Sequence, residues 1–132
     1  MQKKPYSKVK SIQIPLYGGR LVMIFSNCSE KIKKTIPNWD KETDEIYGSA
    51  WYINYKDRQG FAMILNFDSD RAKITHGTIA HEAVHLAHYI ADERGIKLDL
   101  NNDEPITYLV GWIVDEVYDF IKKSNLEVSI KM

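Results

Sequence analysis

The order of its hydrophobic periodicities constrains this chain more than any other feature. Every long run of period two lies before residue 68, and both long runs of helical period lie after residue 75. Side chains alternate between two faces along a strand, whereas a helix returns to one face every 3.6 residues. Within residues 8–17, Ile12, Ile14 and Leu16 share a face; after Gly18 and Gly19, residues 20–26 place Leu21, Met23 and Phe25 together. Two such runs around a Gly-Gly pair predict a β-hairpin, because glycine accepts the positive φ of a tight turn. A second strand pair is predicted from residues 48–55, with Trp51, Ile53 and Tyr55 alternating, and residues 61–67, with Phe61, Met63, Leu65 and Phe67 on one face. Between the pairs, residues 29–36 read as a short amphipathic helix capped by Ser29 and stopped by Pro37, followed by a polar loop over 38–47.

Thr75 is a suitable N-cap for a long helix that ends at Gly95, the residue type favoured just past a helix end. Residues 96–103 connect it to a last helix over 105–123, where Ile106, Leu109, Val110, Ile113, Val117, Phe120 and Ile121 recur at helical spacing. Residues 126–130 are expected to add a short strand. Strands gathered ahead of helices favour an α+β domain, a mainly antiparallel sheet packed against two helices. At 132 residues, without repeats or internal linkers, the whole span 1–132 reads as one domain.

Charge excludes several classes of partner. Lys+Arg and Asp+Glu both count 18, so no net field draws the chain to nucleic acid or an anionic membrane. The basic start (Lys3, Lys4, Lys8, Lys10) reads as a solvated tail. No apolar run approaches the roughly 20 residues of a membrane span. Cys28 is the single cysteine, which rules out an intrachain disulfide and a cysteine-based zinc site. The first residues lack the apolar stretch of a signal peptide, so the expected location is the cytoplasm.

The segment His81-Glu82-Ala83-Val84-His85 carries the chemistry. On a helical wheel of about 100° per residue, His85 falls about 40° from His81, one turn along the same face. Two imidazoles so placed can converge on one ion such as Zn2+. Glu82 falls at about 100°, beside the pair, where a carboxylate can reach water without displacing it. Ile79, Ala83, Leu86, Ala87, Ile90 and Ala91 fill the opposite arc, roughly 140–280°, which predicts a buried side.

The run Thr78-Ile79-Ala80-His81-Glu82-Ala83-Val84-His85-Leu86 resembles the extended motif of the zincin metallopeptidases. The resemblance implies a zincin-like α+β fold, Zn2+ on His81 and His85, a general base at Glu82, and a protein or peptide substrate. It also implies an edge strand that offers itself to substrate, near which residues 61–68 are expected to sit. The chain further resembles small phage-encoded proteins of this type, through "HEAVHLAHYI" and "DEPITYLVGWIVDEV", which would place it in a host cytoplasm.

A catalytic zinc takes three protein ligands and keeps one position for water. His88 shares the face of His81 but lies about 10.5 Å along the axis, too far to join it on one ion. It reads instead as a cleft-lining or surface residue, and Asp92 fails on the same distance. The metzincin position for a third histidine holds Ala91. Gluzincins take a glutamate from a downstream helix, which here points to Glu104, just before Pro105. Asp103, Glu116, Asp99 and His76 stay open as alternatives, as does a plain helix-capping role for Glu104. Tyr108, one turn on, is a candidate donor to an oxyanion. Gly111 is a position where another helix could come close.

These readings predict a zinc metallopeptidase. The alternatives are a zinc-holding binding or inhibitor protein without turnover, and a metal-free structural protein with a chance motif.

Overall fold

The computed structural model describes residues 4–42, 47–56 and 58–124. The strand expected at 126–130 lies outside them. In chain order the elements are β1 (Ser7–Gln13), β2 (Arg20–Ser26), α1 (Ser29–Thr35), β3 (Gly48–Tyr55), β4 (Arg58–Leu65), α2 (His76–Glu93) and α3 (Glu104–Lys123). The class is α+β, with one four-stranded sheet and three helices.

The sheet order is β1-β2-β4-β3. Both expected pairs form antiparallel hairpins, β1 with β2 and β3 with β4. The two hairpins then join through their inner strands, and that joint is parallel: Leu21 lies opposite Phe61, Met23 opposite Met63 and Phe25 opposite Leu65. The sheet is therefore mixed: two of its three pairings are antiparallel, in keeping with the mainly antiparallel sheet expected from sequence, and the central one is parallel. The physical reason is visible in the inner strands. Leu21-Val22-Met23-Ile24-Phe25 and Phe61-Ala62-Met63-Ile64-Leu65 are apolar without a break, as strands covered on both faces must be.

Alternation then sorts these side chains into two cores. Leu21, Met23, Phe25, Phe61, Met63 and Leu65 face the two long helices, packing with Ile79, Ala83, Leu86, Ala87, Ile90, Leu109, Ile113 and Val117. Ile24, Ala62 and Ile64 face the other way, against Ile32, Ile36 and Trp39. Trp39, in a stretch expected to be a polar loop, is 1% exposed and meets Trp51 edge-on at 4.9 Å. Its burial gives the outer face of the sheet a cover that α1 alone is too short to provide.

Three local expectations need correction. β1 stops at Gln13, because Leu16 adopts φ 67° and lies 86% exposed; the turn is closed by the amide of Ile14 donating to the Gly19 carbonyl. Ser29 does not cap α1; Cys28 holds that position in extended geometry, and the Ser29 hydroxyl donates to the Lys41 carbonyl. β4 starts at Arg58, earlier than the alternation suggested.

The long helices follow the sequence closely. Thr75 caps α2 through a reciprocal box: the Thr78 amide donates to Thr75 Oγ1 at 2.9 Å and the Thr75 amide to Thr78 Oγ1 at 3.1 Å. Gly95, at φ 70°, takes the chain out of the helix. His76, first in α2, meets Tyr118, late in α3, ring on ring at 5.6 Å, so α3 runs back antiparallel to α2. In α3, Leu109, Ile113, Val117 and Phe120 are buried, one turn after another.

Candidate metal centre

The wheel geometry of α2 is realised. Ile79, Ala83, Leu86, Ala87, Ile90 and Ala91 are all buried, and His81 and His85 stand on the exposed side. Their Nε2 atoms are 3.1 Å apart, with the rings 74° from coplanar. Two nitrogens bound to one tetrahedral zinc at roughly 2.0–2.1 Å would themselves be about 3.3 Å apart. The pair is thus already spaced as a tetrahedral ion requires.

Glu82 differs from its neighbours in burial. It lies at the margin of the apolar arc and is 8% exposed. Its carboxylate and the two imidazoles form a group whose ligand atoms all lie within 4.8 Å of one another. No ion pair among the described residues neutralises it. A carboxylate removed from water favours a cation beside it, and the donor set of two imidazoles and one carboxylate suits a divalent transition metal.

Gly48 fixes what lies over this group. A Cβ there would stand 2.8 Å from Thr78 Cγ2 and 3.7 Å from Glu82 Cγ, so only glycine lets the start of β3 close down on α2. A groove of about 260 Å3 results, lined by Tyr47, Gly77, Thr78, His81 and Glu82. The strand beside the group is therefore β3, an edge strand. Residues 61–68, expected near such a strand, lie mostly in β4, which pairs with β3 on one side and β2 on the other. Sequence reading missed Tyr47 and the role of Gly48. A glycine opening an otherwise aromatic strand was the available signal.

The other candidates are not gathered here. Glu104 is the first residue of α3, exposed, with its carbonyl accepting from the Thr107 hydroxyl. It does not join the 4.8 Å group. Asp103 is the N-cap of α3, without a side-chain cap bond; Asp99 Oδ1 accepts from the Asn101 amide; Glu116 is half-buried on α3. The His76 ring is bonded through Nδ1 to the Tyr118 hydroxyl, and burial pushes that phenol's pKa above its ordinary value. Tyr108 is 41% exposed. His88 and Asp92 line a separate groove of about 490 Å3 with Ala91, Gly95, Ile96, Lys97 and Leu98. A Cβ on Gly111 would meet nothing, so no helix comes close there. Trp112 packs at the edge of the main core and Trp51 against the outer one.

Fold and site together define an α+β protein with a His-Glu-x-x-His group able to hold a metal ion. No protein-family model matches the chain, and no solved structure matches it. Among curated proteins, 85 residues are 28% identical to the xylose isomerase of Rhizobium rhizogenes, covering 64% of this chain and 20% of that protein. The chain spans about a fifth of that relative's length, and so partial a likeness assigns neither family nor activity. Among the described residues, no helix is long and apolar enough to cross a membrane.

Proposed function

We propose that the chain is a zinc-dependent hydrolase of peptide bonds, with its chemistry at the start of α2. The observation that carries this reading is the 3.1 Å approach of His81 and His85 Nε2 beside a buried carboxylate. His81 and His85 would hold Zn2+, and Glu104, on α3 outside their group, is the third ligand that the gluzincin resemblance implies. When bound, zinc supplies a Lewis acid that polarises a carbonyl and lowers the pKa of water toward neutrality. Glu82 accepts a proton from the attacking water and passes it to the leaving nitrogen, so carboxylate and proton count are restored after each turnover. β3, open along one edge beside the groove, supports an extended peptide as substrate.

The test is Glu82→Gln, assayed on a mixed peptide library by mass spectrometry. The variant is expected to keep one zinc per chain and to lose the chelator-sensitive cleavage seen with wild type. Equal cleavage by both proteins contradicts the mechanism. One observation favours a second reading, a zinc-holding binding or inhibitor protein without turnover: Glu104 stands outside the group that gathers His81, Glu82 and His85. Zinc bound by wild type with no chelator-sensitive cleavage supports that reading. A small host-directed phage protein in a host cytoplasm is compatible with either.

A further inference from the structure

We propose that Tyr47 is the hydrogen-bond donor that meets whatever oxygen a ligand presents to the metal, and that it sets the size of group the groove accepts. This rests on the metal-site reading above. Of the five residues lining the groove with His81 and Glu82, three carry donors: Tyr47, Thr78 and His81. The Thr78 hydroxyl is already committed to the cap of α2, held against both the amide and the hydroxyl of Thr75. His81 Nε2 is committed to the pair with His85. Tyr47 is the third, and its phenol has no described hydrogen bond.

Its position is fixed from three sides. The Tyr47 carbonyl accepts from the Asn66 amide at 2.9 Å, which ties the residue to the end of β4. The Arg71 guanidinium lies 5.5 Å from the ring centroid, a cation–π contact that holds the ring face. The ring also packs on the edge of the main core, while Gly48 next to it lets the strand descend onto Thr78. A donor that does not need to reorganise is what a developing oxyanion requires. The groove, at about 260 Å3, is smaller than the range of roughly 300–1,000 Å3 typical of small-molecule pockets. It suits one amino-acid-sized group of a longer ligand.

The experiment uses Co2+-loaded full-length protein titrated with acetohydroxamate, followed by the visible Co2+ absorption bands. Tyr47→Phe is expected to weaken hydroxamate binding about 5- to 10-fold, the loss of one hydrogen bond. Co2+ affinity and Tm should stay at wild-type values, because phenylalanine keeps the ring packing. Tyr55→Phe, at the far end of β3, should bind hydroxamate like wild type, and benzohydroxamate should gain affinity in Tyr47→Ala. Unchanged hydroxamate binding in Tyr47→Phe overturns the proposal, as does a loss in Tyr108→Phe instead. Failure of wild type to take up Co2+ overturns the metal-site reading itself, and Tyr47's role with it.

Discussion

The two halves of α2 carry similar residues and differ in arrangement. The first half presents His81, Glu82 and His85; the second presents His88 and Asp92, also one turn apart, and lines the larger groove. In the first half two nitrogens meet at 3.1 Å and Glu82 is 8% exposed. In the second, both residues are exposed and neither joins a group of three metal-binding side chains. Cavity size does not distinguish the group able to hold a metal ion from the rest of the helix. Convergence of donors and burial of Glu82 do, and both occur where Gly48, at the start of β3, comes down on Thr78 and Glu82.

Metal binding should break this symmetry most sharply. His81→Ala is expected to lower zinc affinity by at least about 100-fold, the upper end of what losing even an orienting partner costs, while His88→Ala leaves it unchanged in a chelator-competition titration. Next in size is the inward face. Leu86→Ala should cost about 2–5 kcal/mol in urea unfolding through the cavity it leaves, and Val84→Ala, at 39% exposure, within about 0.5 kcal/mol. Gly48→Ala drives a methyl to 2.8 Å from Thr78 Cγ2. About 1–3 kcal/mol of overpacking should follow, with hydrogen exchange faster in β3 and the first turns of α2 and unchanged near Gly95. Thr75→Ala, which removes the cap, should cost about 1 kcal/mol and expose the same first turn. Equal fraying at both ends of α2 in these variants would remove the distinction between its halves.

Much of this was legible in residue order. The wheel of α2 named all six of its buried apolar residues, and Thr75 and Gly95 named its ends, because local rules act without long-range help. The convergence of His81 and His85 followed from helix geometry alone. What escaped was long-range. Alternation places residues on a face but does not state which strands meet, so the parallel joint of β2 and β4 had to be seen; their unbroken apolar runs were the overlooked hint. For the same reason Tyr47, 34 residues before His81, gave no sign of sharing its groove. Glu104 rested on the gluzincin resemblance, which does not fix how far α3 slides along α2.

The most direct measurement is an anomalous difference map at the zinc edge from crystals grown with one equivalent of Zn2+. One peak within about 2.0–2.1 Å of Nε2 of both His81 and His85 is the predicted result. Zinc density elsewhere, or none with the two rings turned apart, contradicts the account.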